Sequence, residues 1–238
     1  MADKKYNIRQ LETARVIFTD ADAGVVGETY AAAVPAVKSV LRFLGVKTEF
    51  PLINIFIAPS RKEYDKLVAH LTRIPTNKGR LGQPQGHDFY LVSPNAYAKD
   101  VSPNYCRPDG ACDKGMYKLF IKHEIVHMVE ELISPRDAME VRPQWWSDGL
   151  AVYVTGQYRD RVTTKYMKAD RAAGKIPGLD ELKGGPAYTW GWSVVRYIDK
   201  RFGRKKILEI MRNTCDADIP GLLKLSKKTL ERAWQNSL

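Results

Sequence analysis

The chain has 238 residues, 44% of them hydrophobic and 27% charged, with 38 Lys and Arg against 27 Asp and Glu for a net charge of +11. The length suits one substantial domain, or two small lobes sharing a cleft, with a buried core. The composition is that of a globular protein and not of a disordered, collagenous or disulfide-dense chain, and no apolar run approaches the roughly 18 residues needed to span a bilayer. The basic excess favours an anionic partner and is densest late, with eleven Lys and Arg against five Asp and Glu from Arg196 to Arg232. A solvated surface is the commoner origin of such an excess.

The opening residues Met1-Ala-Asp-Lys-Lys5 are polar and lack an apolar signal core. The expectation is either a cytosolic chain or one whose signal has been removed, with the extracytoplasmic alternative favoured. Cys106 and Cys112 flank a Pro-Asp-Gly turn at a spacing that suits a small disulfide loop, and Cys215 is left over.

Ala14 to Thr19 reads as a first strand, rich in β-branched and aromatic residues. Tyr30, Val34, Val37, Leu41 and Leu44 then step at helical spacing, with Gly45 as the stop and Pro35 as a kink or first-turn residue. Phe50 to Ala58, nearly continuous in apolar character, reads as a central strand. Ser60 and Glu63 form a capping box for a helix reaching about Leu71. Thr72 to Gly86 reads as a loop, His87 to Ser93 as a strand, and Pro94 to Lys114 as a long irregular connection. Residues 1–114 therefore predict an N-terminal α/β subdomain, in which His87 is an ordinary strand residue.

Residues 115–238 read as a mostly helical subdomain. Pro135 and Pro143 bracket a connector, and helices are expected from Gln144 to Val154, Asp160 to Ala173, Tyr188 to Phe202, Lys205 to Arg212 and Lys227 to Gln235. The fold class expected is α+β, a mixed sheet and a helical lobe with a cleft between them.

The chemistry concentrates on His123-Glu-Ile-Val-His127, within the helical stretch from Lys118 to Ile133. With about 100° of rotation per residue, the two His share one face and Glu124 is displaced to its side. Leu119, Ile121, Ile125, Val126, Met128, Val129, Leu132 and Ile133 cover the opposite side, as in a helix packed into a core. Only four His occur in the chain, and two of them stand at this spacing around a Glu. The pattern suits Zn²⁺ held by the two imidazoles, with Glu124 placed to work on a metal-bound water.

A catalytic zinc site needs three protein ligands and an open position. Glu130, Glu131, Asp137, Glu140 and Asp148 are the acidic candidates downstream. Glu131 lies one turn past His127 and suits a supporting role better than ligation. Asp148 opens a helix with apolar neighbours that must pack beside the first, so it is the expected ligand, with a carboxylate partner to one imidazole as the alternative.

These residues resemble the gluzincin-type zinc metallopeptidases of the peptidase MA-like group. In that family His-Glu-x-x-His is followed by Trp-x-x-Glu-Gly-Leu-Ala-x-Tyr and then by Tyr-x-x-Gly-x-Ser-x-x-x-Tyr-Ile. Here the second block runs from Trp145 through Asp148, Gly149, Leu150 and Ala151 to Tyr153, and the third from Tyr188 through Gly191, Ser193, Tyr197 and Ile198 to Phe202 and Gly203. The resemblance covers Met116 to Gly203. The family's third ligand is Glu, and Asp148 stands in its place, shorter by a methylene, so that either the second helix approaches closer or the site resembles the aspzincins in ligand set.

The resemblance implies a zincin-like fold, one zinc per chain, and peptide hydrolysis through a zinc-bound water with Glu124 as general base. It also implies an oxyanion donor, for which Tyr188 is the position indicated, a core Tyr being the alternative. No amine-anchoring Gly-x-Met-Glu-Asn motif is present, so an endopeptidase is favoured over an aminopeptidase. An extended substrate would pair with an edge strand, for which Phe89 to Val92 is the segment indicated.

Two other classes stand beside this reading. Cys106, Cys112, His123 and His127 resemble a Cys₂His₂ finger that binds nucleic acid, although both spacings miss and Glu124 and Asp148 go unexplained. A zincin-like module that binds without catalysis is the other.

Overall fold

The computed structural model describes residues 5–71, 80–100, 106, 112–135, 142–159, 161–213 and 218–238. Its architecture is α+β, as expected: a mixed five-stranded sheet comes first and a mostly helical region follows. By internal contacts the chain forms two compact units, residues 1–39 with 48–128 and residues 40–47 with 129–238.

The first unit is built on β1 (Asn7–Leu11), β2 (Ala14–Phe18), β3 (Ile53–Ala58), β4 (Gly82–Gln85) and β5 (Asp88–Val92), in the order β1-β2-β3-β5-β4. β3 is central and runs parallel to both neighbours, while β1 and β4 are each antiparallel to the strand they flank. Ile53, Ile55, Ile57 and Ala58 of β3 have no exposed surface. Ile53, Ile55 and Ile57 share one fully buried face, while Asn54 and Phe56 on the other face are half-buried, Asn54 donating to Asp88 Oδ1 at 2.8 Å.

Three expectations change. β1, with four of its five residues exposed, was not legible as a strand. β4 lies inside what the sequence suggests is a loop, and His87 belongs to the turn between β4 and β5. As a result, Phe89 to Val92 is not an edge: β5 is paired on both sides, and β4 is the outer strand. The sequence Gly82-Gln-Pro-Gln85 carries no apolar alternation, and Pro is tolerated only at such a margin. What places it is an absence, since a Cβ on Gly82 would lie 2.6 Å from the ring of Phe120 and 2.7 Å from that of Phe89.

Helix α1 (Val26–Leu44) runs on past Pro35 and stops where Gly45 takes a positive φ of 69°. Helix α2 (Arg61–Val68) is capped by Ser60, whose hydroxyl accepts from the amide of Glu63 at 3.3 Å. One turn, α3 (Tyr97–Asp100), precedes the long helix α4 (Lys114–Ile133). Asp22, 1% exposed, accepts from Thr19 Oγ1 at 2.8 Å and Ser93 Oγ at 2.6 Å, which ties the ends of β2 and β5 together.

The second unit holds α5 (Gln144–Thr155), α6 (Arg161–Ala172), α7 (Trp192–Phe202), α8 (Arg204–Asn213), α9 (Ile219–Leu222) and α10 (Lys227–Gln235). Three Trp with almost no exposed surface organise it, each with its indole N–H satisfied as buried Trp requires. Trp146 donates to Glu130, Trp190 to Asp170 and Trp234 to Ser193. The helix expected from Tyr188 starts instead as a π turn, Ala187–Gly191, before α7. Here the backbones meet: a Cβ on Gly149 would lie 2.4 Å from the carbonyl carbon of Gly191, and one on Gly191 would lie 2.6 Å from the Trp145 oxygen.

Candidate metal centre

Helix α4 begins at Asp113, whose Oδ1 accepts from the amides of Gly115 at 2.8 Å and Met116 at 3.1 Å. An acidic cap of this kind satisfies the orphan amides of a first turn and opposes the helix dipole favourably. Ile121, Ile125, Val126, Met128 and Val129 are buried, so the register of the helix is fixed by its apolar side. That register buries His123 to 4% exposure and leaves His127 and Glu124 half-buried.

The imidazoles meet at their Nε2 atoms, 3.2 Å apart. Asp148, on α5 and 7% exposed, completes the group: one ligand atom from each of His123, His127 and Asp148 lies within 4.8 Å of the others. A tetrahedral ion with bonds of about 2.1 Å holds its ligand atoms about 3.4 Å apart. The His pair already stands near that separation, and a carboxylate oxygen of Asp148 lies within 4.8 Å of both. Two imidazoles and a carboxylate are a donor set suited to zinc. The residues therefore fit a metal ion.

Neither a protein-family model nor a curated protein sequence matches the chain. The candidate metal centre is thus read from its own geometry. Among the described residues, the group around the His pair includes Asp148 and neither Cys106 nor Cys112, which removes the geometric basis of the finger reading.

The remaining acidic candidates go elsewhere. Glu131 is exposed, and Asp137 and Glu140 lie outside the described residues. Glu130 has no exposed surface; its Oε1 accepts from Arg142 Nη1 at 2.7 Å and from Trp146 Nε1 at 2.9 Å. Arg142 also donates to Ser134 Oγ at 2.8 Å and to the carbonyl of Met211. Glu130 follows His127 by one turn and Trp146 precedes Asp148 by two residues, so this buried network holds the end of α4 to the start of α5. In the sequence it shows only as an acid on an apolar helix face, with its cation across the connector.

Tyr188 sits on the π turn, 40% exposed, three residues before the Gly191 that touches Gly149. The π turn that carries it packs against the helix of Asp148. π turns interrupt helices at functional positions more often than elsewhere.

Tyr64 of α2 was not singled out by the sequence. It is fully buried, its hydroxyl has no hydrogen-bond partner among the described residues, and burial pushes its pKa far up, with Arg80 opposing and Glu124 adding to the rise. Its hydroxyl therefore stays protonated, and its electrostatic environment includes the carboxylate of Glu124.

Proposed function

We propose that this chain is a zinc-dependent peptidase, a hydrolase of the gluzincin type with His123, His127 and Asp148 as metal ligands. The observation that carries the proposal is the convergence of the two Nε2 atoms at 3.2 Å with the Asp148 carboxylate within 4.8 Å. The order of the sequence blocks supports it, because Glu124 lies between the two His as a peptidase base must.

Zinc, when bound, supplies Lewis acidity that activates water and polarises a scissile carbonyl. Glu124 takes the proton of the attacking water and passes it to the leaving amine. It is half-buried, which keeps its carboxylate reachable while limiting competing solvent. Tyr188 donates to the developing oxyanion; its partial exposure makes it accessible to a bound peptide. Glu130, Arg142 and Trp146 touch no substrate and act by positioning the ligands. The substrate is a peptide or protein cleaved internally, and the basic late surface favours acidic regions in it.

The test is metal content by plasma mass spectrometry on chain purified without a metal-affinity column, for wild type and Asp148→Ala. One zinc per chain, lost in the variant, is expected. Zinc unaffected by the substitution would remove Asp148 from the ligand set, and no zinc even after reconstitution would overturn the reading.

A further inference from the structure

We propose that Cys106 and Cys112 are a redox pair that closes into an intramolecular disulfide immediately ahead of α4. The two residues face each other as partners in an isolated antiparallel bridge, both present as thiols. Directly opposed residues of an antiparallel pair have Cα atoms about 4.5 to 5.5 Å apart and side chains on the same face. A disulfide spans Cα separations of about 4.4 to 6.8 Å, so the backbone already meets its requirement without rearrangement.

Both residues are partly exposed, so a small oxidant reaches them. Burial, and then the neighbouring Cys106, push the Cys112 thiol up to about 11. That coupling is a second mark of their closeness.

The oxidant is a low-molecular-weight disulfide such as oxidised glutathione. The thiolate of either cysteine attacks one of its sulfurs and expels one glutathione thiolate, leaving a mixed disulfide. The other cysteine then loses its proton to solvent, attacks the protein sulfur of that mixed disulfide and expels the second glutathione. Two S–H bonds are lost, one protein S–S bond forms, and the oxidant is reduced to two thiols.

The placement gives the bond a consequence. Cys112 adjoins Asp113, the cap of the helix that carries His123, Glu124 and His127. Lys114 pairs with Glu28 of α1, and Tyr117 shares a 2.8 Å hydrogen bond with Thr29, so the first turn is already fixed on one side. The disulfide fixes it from the other, and fraying of α4 from its N-terminus is suppressed.

The experiment treats a full-length Cys215→Ser chain with oxidised glutathione and reads intact mass, non-reducing peptide maps and thermal midpoint. The chain is expected to lose the mass of two hydrogens, retain no glutathione, and yield a single cross-linked peptide joining Cys106 to Cys112. Its midpoint is expected to rise by about 5 °C over the reduced form. In the same background, Cys106→Ser and Cys112→Ser, each left with one thiol of the pair, are expected to hold at most one glutathione, to form no intramolecular cross-link and to show no rise in midpoint. Two glutathiones on the unclosed pair, a covalent dimer, or no reaction would each overturn the proposal.

Discussion

Glu130 and Arg142 form an ion pair at 2.7 Å in which neither side chain has any exposed surface. Removing one partner of such a pair strands the other charge in a low-dielectric interior, at a cost of about 3–5 kcal/mol. Glu130→Ala is expected to lose that much in denaturant unfolding, and Trp146→Phe, which removes only one donor, about 1 kcal/mol. Because the network holds α4 to α5, Trp146→Phe is also expected to weaken zinc binding while leaving the chain folded, read by competition with a chromogenic chelator.

The donor set makes a prediction that separates ligand from neighbour. Loss of a carboxylate that merely supports a ligating His costs about 10–100-fold in metal affinity. Asp148→Ala is expected to exceed that range, and Asp148→Glu to restore part of the loss. Equal affinities for wild type and Asp148→Ala would place the third ligand elsewhere.

Glu124→Gln keeps the size and hydrogen-bonding reach of the side chain but cannot take a proton. Zinc content is expected to stay at one per chain while peptide hydrolysis falls by about 10²–10⁴-fold. Hydrolysis at the wild-type rate would exclude Glu124 as the base.

Gly149 and Gly191 are in backbone contact, and neither neighbour has a flexible side chain to move aside. Gly149→Ala is expected to destabilise the chain by about 1–3 kcal/mol through overpacking, visible as a lowered thermal midpoint. Gly24→Ala, where a Cβ meets nothing within 4 Å, is the matching control and should leave the midpoint nearly unchanged.

Asp199 carries a pH dependence with a definite sign. Burial acts to raise its pKa, but hydrogen bonds from Arg204 and Tyr153 outweigh it and hold the carboxyl below its ordinary value of 3.8. A depressed native pKa means stability that is present above the unfolded value and lost as pH falls through the native one. Unfolding free energy is therefore expected to decline below about pH 4, and Asp199→Asn to flatten that decline. The same variant keeps an acceptor oxygen for the 2.9 Å contact from Arg204 Nε or the 2.8 Å contact from Tyr153 but not for both, and it loses the charge that pairs with Arg204, so its stability near neutral pH is expected to be lower.

The helices and the central strand were legible because burial imposes a period on their sequences. Ile121, Ile125, Val126 and Val129 mark the buried side of α4, and Ile53, Ile55 and Ile57 mark the buried face of β3. The outer strands were not legible for the same reason in reverse. β1 buries almost nothing, and β4 is placed by a missing side chain at Gly82, which leaves no pattern to read. His123, His127 and Asp148 were visible because metal ligation restricts residue type and spacing together. Glu130 and Arg142 were visible only as two charges; that they pair could be known only once the connector between them had brought them into contact. The π turn at Ala187–Gly191 carries no period that the sequence displays; the structure shows it where the backbones of Gly149 and Gly191 meet.

Pro84 has a consequence for how the protein behaves when concentrated. The amide of Val92 donates to the carbonyl of Leu81, so the alternation of an antiparallel ladder turns the nitrogen of Pro84 away from β5. Among the described residues no strand pairs beyond β4, and the outward row of donors there has a gap where a proline stands. A strand from another molecule aligning along that margin would leave one of its own carbonyls unmatched, which disfavours open-ended growth of the sheet into aggregates.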